Sequence, residues 1–111
     1  MKDFREMQVW NKGHKLAVEI YKLTAGFPRE EIYGLSSQIR RAAVSVPTNI
    51  AEGCGRGSSK ELKQFLKISM GSASEVEYQI LLSYELHYTD SLRVPTCHPR
   101  VSGGKVDSFG S

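Results

Sequence analysis

The chain has 111 residues, 40% of them apolar and 24% charged, and its 15 Lys and Arg against 12 Asp and Glu leave a formal net charge of +3. That length holds one domain or one subunit of an assembly, with a small core, and the composition excludes disordered and collagen-like chains. No apolar run approaches the roughly 18 to 20 residues of a membrane span, and Met1-Lys2-Asp3-Phe4-Arg5-Glu6 leads into no signal-like segment, so the expected compartment is the cytoplasm.

The first predicted element runs from about Met7 to Thr24. Val9, Gly13, Leu16, Ala17, Ile20 and Leu23 share one face at helical spacing, with Lys12, Lys15, Glu19 and Lys22 opposite. Gly26-Phe27-Pro28 stops it, because glycine takes a left-handed cap readily and proline cannot extend the hydrogen-bond ladder. Trp10 and Tyr21 lie beside the apolar face and are read as core residues rather than as base-stacking platforms.

A second helix is predicted from about Tyr33 to Glu52, with Leu35, Ile39, Ala42, Ala43, Val46 and Ile50 on one side. Pro47 lacks the amide that would bond the Ala43 carbonyl. The apolar spacing nevertheless continues in phase to Ile50, which favours one kinked helix over two short ones.

The third and longest helix spans about Ser59 to Tyr88, its start marked by the capping pattern Ser58-Ser59-Lys60-Glu61. Leu62, Leu66, Ser69, Ala73, Val76, Ile80 and Tyr84 form a seam suited to antiparallel packing. Gly71-Ser72-Ala73-Ser74 leaves room for a second backbone. The expected fold is therefore an all-α, up-and-down bundle with a helical domain over residues 1–88.

Two helices are also apolar behind their main faces: Val44, Pro47 and Ala51 on the second, and Ile68, Tyr78, Leu82 and Leu86 on the third. A three-helix monomer would leave these side chains wet, so either another helix or another subunit should cover them; with no fourth helix offered by the sequence, they are the expected oligomer interface. From Thr89 to Ser111 prolines, glycines and serines replace the periodic pattern, which reads as an irregular tail.

Leu35-Ser36-Ser37-Gln38-Ile39-Arg40-Arg41-Ala42-Ala43-Val44-Ser45-Val46-Pro47-Thr48-Asn49-Ile50-Ala51-Glu52-Gly53, together with Trp10, Gly55-Arg56 and Gly71-Ser72-Ala73-Ser74-Glu75-Val76-Glu77, closely resembles the four-helix bundle family encoded by 23S rRNA intervening sequences. The likeness covers roughly residues 4–88. It implies an up-and-down subunit assembling into a ring or barrel, typically a pentamer, without known enzymatic activity. Similar accessory proteins of diversity-generating retroelements associate with a reverse transcriptase and nucleic acid. Family members are expected to continue into a fourth amphipathic helix, where this chain reads Ser91-Leu92-Arg93-Val94-Pro95-Thr96. The tail is therefore expected to be a frame-shifted or degenerate C-terminus replacing that helix.

The residues that carry chemistry are few. Gly53-Cys54-Gly55-Arg56-Gly57-Ser58-Ser59-Lys60 lacks the Gly-Lys-Ser/Thr run of a phosphate loop, and a plain turn in which Gly53 caps the second helix is preferred. Lys60, Lys63 and Lys67 form a stripe on the third helix, with Arg56 before it and Arg40 and Arg41 on the second. Repeated around a ring, these six are candidate contacts to RNA phosphates. Three Lys against four Glu over residues 58–88 set competing carboxylates on the same helix. Asn49 and Glu52 are assigned to a structural polar network.

Cys54 and Cys97 lie far apart and are read as reduced thiols. His14, His87 and His98 are scattered, so no metal site is expected, and with Glu52 and Glu75 lacking any nucleophile or histidine beside them, no catalytic residue or cofactor is expected either. The expectation is a non-enzymatic homo-oligomer that binds RNA nonspecifically. The alternative is a structural scaffold that docks a protein partner such as a reverse transcriptase.

Overall fold

The computed structural model describes residues 3–90 and Leu92. Among the described residues three α-helices carry the fold: α1 (Gln8–Thr24), α2 (Leu35–Gly55) and α3 (Ser59–Glu85). Single 3₁₀ turns at Phe4–Glu6 and Arg29–Glu31 precede α1 and α2. The expected tail lies outside the described residues except for Thr89, Asp90 and Leu92, and Cys97 and His98 lie outside them too.

The central helix is α2. Both α1 and α3 pack along it, and they make no close backbone approach to each other. The shared core joins Leu16, Ala17 and Ile20 of α1, Ile39, Ala42, Ala43, Val46 and Ile50 of α2, and Ala73, Val76 and Ile80 of α3. All six residues of the predicted α2 face are buried. The hydrophobic effect therefore selects α2 as the element that buries most of its circumference, because among the described helices it alone has neighbours on two sides.

Glycine sets the crossing of α1 over α2. A Cβ at Gly13 would lie 2.8 Å from Val46 Cγ1 and 3.5 Å from Pro47 N. Carbon atoms pack at about 3.5–4.0 Å, so a hydrogen is what lets the backbones come this near. α2 is one continuous helix through Pro47, and the proline's surroundings correct an expectation. Pro47 is buried within the subunit, at the α1 crossing, rather than left exposed behind the main face, and with Val44 it lines a shallow groove beside α1.

Gly53 likewise departs from its expected role. α2 runs on through Gly53 and Cys54 to Gly55, so Gly53 is no cap. It is the close-approach point for α3, where a Cβ would lie 2.8 Å from Phe65 Cβ and 3.3 Å from Leu62 Cα. The left-handed turn falls instead at Gly57, with φ 83°. Ser58 Oγ then accepts the Glu61 amide at 3.1 Å and starts α3 as the capping pattern predicts.

The end of α3 falls earlier than expected. His87 adopts φ 65°. The Tyr88 amide donates to Ser83 O and the His87 amide to Tyr84 O, the paired bonds of a Schellman cap. Tyr88 turns back, its ring 5.5 Å from that of Phe27 and its hydroxyl donating to Glu31 Oε2 at 2.8 Å. Glu31 Oε1 accepts the Leu35 amide at 2.9 Å, so one carboxylate ties the start of α2 to the end of α3. These two bonds hold the Glu31 carboxyl below the usual glutamate range, the Leu35 amide foremost, while donation to Glu31 pushes the Tyr88 phenol above its own.

The predicted α3 seam is correct up to Ile80 and then drifts. Ser83 is buried and Tyr84 is exposed, because 3.6 residues per turn carries a strict three-four repeat off its line. Tyr21 is also exposed, against the expectation of core packing. Trp10 is half-buried against the core and stacks on His14 at 5.0 Å.

Candidate nucleic-acid interface

The six basic residues divide between two places. Arg56, Lys60, Lys63 and Lys67 follow one another from the end of α2 into the first turns of α3, and all are exposed. Arg40 and Arg41 sit in the first half of α2, beside the end of α1.

Local contacts separate residues with a free charge from residues already engaged. Arg40 is half-buried. Its Nε donates to Thr24 Oγ1 at 2.6 Å and its Nη2 to Tyr21 O at 3.2 Å, with the guanidinium 4.6 Å from the centre of the Tyr21 ring. It therefore closes the last turn of α1, where cations are favoured by the helix dipole. Arg56 pairs with Glu52 at 3.0 Å and lies 5.1 Å from the Phe65 ring centre. An exposed pair of this kind holds its charge only weakly. Lys60, Lys63, Lys67 and Arg41 make no ion pair among the described residues.

The lysine placement works against the helix that carries it. Lys60 and Lys63 sit at the amino end of α3, where the dipole disfavours cations. Lys63 and Lys67 are four residues apart and repel one another across one turn. Glu75, Glu77 and Glu85 all fall in the second half of α3, leaving only Glu61 among the lysines. The net negative charge of the helix is thus separated along its length, and its first half is a basic surface.

The polar network expected at Asn49 is present, though without Glu52. Asn49 Nδ2 donates to Ser45 O and Ser45 Oγ, both at 2.8 Å, and Ser45 Oγ is 2.8 Å from Ser72 Oγ on α3. Ser69 Oγ donates to Val46 O at 2.8 Å, filling a second polar position along the same α2–α3 seam. Glu52 pairs outward with Arg56 instead. Cys54 is buried and reduced, its Sγ 3.2 Å from Met7 Sδ.

Of the proposed interface residues, Val44, Ile68, Tyr78 and Leu86 are exposed, Ala51 and Leu82 are half-buried, and only Pro47 is enclosed. Met70, Leu81 and Tyr84 extend the exposed apolar surface of α3 beyond the residues that sequence spacing picked out. No three His, Cys, Asp or Glu side chains come together among the described residues as a metal would require. No described helix is long and apolar enough to cross a membrane.

A family model described as 23S rRNA-intervening sequence protein matches residues 5–101, continuing past Tyr88, where the resemblance read from motifs stops. A search of the curated proteins gives no significant match. With three helices on this plan and a family match over most of its length, the chain belongs to the 23S rRNA-intervening sequence protein family.

Proposed function

We propose that the protein is a non-enzymatic, oligomeric helical subunit of the cytoplasm that holds RNA by its phosphate backbone through the first half of α3. The observation that carries this reading is the exposed, unpaired trio Lys60, Lys63 and Lys67, spaced at three and four residues so that neighbours repel, with Lys60 in the first turn also set against the α3 dipole. An arrangement that disfavours its own helix gains from an external polyanion, and counterion release supplies the affinity. Arg56 extends the surface once its exposed pairing with Glu52 is exchanged for phosphate. Assembly rests on the apolar flank Ile68, Tyr78, Leu82 and Leu86 of α3, which the open α1–α2–α3 layer leaves uncovered. By the family resemblance the assembly is a pentamer.

Changing Lys60, Lys63 and Lys67 to Gln tests the assignment. RNA retention in a filter-binding assay should fall at least tenfold while sedimentation shows an unchanged mass. Unchanged retention overturns it. The same apolar flank supports a second reading, a scaffold docking a protein partner such as a reverse transcriptase without touching RNA. That reading predicts no RNA retention by the parent protein at any salt concentration.

A further inference from the structure

A cleft of about 550 Å³ opens where the end of α1, the Arg29–Glu31 turn and the first turns of α2 meet. No residue of α3 lines it, so it is separate from the lysine surface. Three arginines, Arg29, Arg40 and Arg41, border the cleft, and among the described residues no Asp or Glu does. Of the two carboxylates adjacent to the cleft in sequence, Glu31 is engaged by the Leu35 amide and the Tyr88 hydroxyl, and Glu30 is exposed and does not line it.

The floor is an unfinished helix start. Within the first turn of α2 the Leu35 amide is satisfied by Glu31 and the Gln38 amide by Gly34 O. The Ser36 and Ser37 amides between them are orphans of the kind every helix start leaves. Ser36 adds an independent sign of a ligand: it is only 7% exposed, it lines the cleft, and its hydroxyl has no hydrogen-bond partner in the described chain. The Ser36 oxygen itself still meets solvent through the cleft, so a bound acceptor would take a donor now left to water. Arg40 is fixed in advance by Thr24 and Tyr21, and two of its five N–H groups are spent there, leaving three for a ligand. The rest of the lining is mostly apolar: Phe27 is buried, Ile32 and Val44 are exposed, and the Tyr21 ring lies against the Arg40 guanidinium.

We propose that this cleft binds a phosphorylated nucleoside, the phosphate received by Ser36, the free amides and the arginines, and the ring system lying against the apolar wall. A phosphate offers the oxygen acceptors that a guanidinium fork and helix-start amides are shaped to meet. Inorganic phosphate or a sugar phosphate would leave Ile32 and Val44 wet, and the size of the cleft suits a small ligand with both parts. The phosphate can come from a free nucleotide or from the 5′ end of an RNA strand.

Calorimetric titration with AMP tests the site, with ribose 5-phosphate and a 5′-phosphorylated RNA tetranucleotide as the other arms. AMP should bind saturably, and R29Q/R41Q should weaken it at least tenfold; both arginines are exposed, so their loss should leave the circular dichroism of the fold unchanged. S36A should weaken it several-fold, and K60Q/K63Q/K67Q should bind AMP like the parent. Ribose 5-phosphate should bind at least tenfold more weakly than AMP, and equal binding would overturn the nucleoside assignment. Competition of the tetranucleotide with AMP supports the site and assigns it to an RNA end, whereas its failure to compete supports the site and assigns it to the free nucleotide. No saturable AMP binding at millimolar concentration, or an R29Q/R41Q variant that binds as the parent does, would overturn the proposal. Because the lysine variant reads the α3 surface separately, failure here and failure of backbone RNA binding are distinguishable.

Discussion

Replacing Gly53 with Ala examines the packing of α2 on α3 at its tightest point. The new methyl would lie 2.8 Å from Phe65 Cβ, 3.1 Å from Leu62 Cδ1 and 3.3 Å from Leu62 Cα. Leu62 Cδ1 can rotate away, but the other two atoms move only with the α3 backbone. Restoring an ordinary contact of about 3.5 Å requires the helices to part by roughly 0.7 Å. Overpacking of this kind costs about 1–3 kcal/mol, and the exchange recovers at most about 1 kcal/mol of helix propensity. The net expectation is a loss of about 1–2 kcal/mol, which lowers the melting temperature by roughly 4–8 °C per kcal/mol in a domain of this size. Gly71→Ala supplies the control. It lies mid-helix in α3 with nothing within 4 Å of its added methyl, so it should gain about 0.5–1 kcal/mol. Urea unfolding by circular dichroism at one fixed protein concentration reads both variants. A Gly53→Ala protein as stable as the parent would refute the close-approach role.

Four further outcomes follow from the same contacts. Glu31 has a lowered pKa, so the stability it contributes is full above the ordinary glutamate pKa and is lost as pH falls through the lowered value; Glu31→Gln should flatten the acid limb of a stability-against-pH curve. Tyr88 has a raised pKa, so its bond to Glu31 stabilises below the ordinary tyrosine value and is lost as pH rises through the raised one; Tyr88→Phe should remove that alkaline loss. His87→Gly relieves a left-handed residue at the α3 cap and should raise stability by about 0.5–1 kcal/mol in urea titration, and no gain would show that the strain is compensated by His87 contacts. Tyr78→Asp and Ile68→Asp change side chains exposed in the single chain, so both should leave helicity intact and reduce the sedimenting mass; retention of the parental mass would place the interface elsewhere.

The helical layer was largely legible because each core face repeats at helical spacing, and the α2 face from Leu35 to Ile50 is buried in full. The misreadings share a cause in tertiary geometry. Gly53 has the composition of a cap, yet Cys54 continues the α2 phase four residues after Ile50 and carries the helix on. The α3 cap places histidine where glycine usually signals a stop, which moved the expected end to Tyr88. Pro47 falls beside the apolar stripe in projection, and only the Gly13 crossing encloses it.

The basic residues show the same limit. A list of cations does not reveal that Arg40 closes the end of α1 while Lys60, Lys63 and Lys67 remain free. The Arg29–Ser36–Arg41 cleft was not visible at all, because a turn brings together residues that no linear motif connects. The unpartnered Ser36 hydroxyl is a signal only once burial is known.

Fluorescence anisotropy of the parent and K60Q/K63Q/K67Q proteins, with a ribosomal RNA fragment and an unrelated RNA across a salt series, tests the RNA-binding account most directly. The parent should bind both RNAs equally, with log affinity falling linearly with log salt. Loss of three phosphate contacts should make that slope shallower by about two units, from roughly 0.7 per contact on a single strand. Parent and variant lines with the same slope, or a parent that binds neither RNA at low salt, would contradict the account.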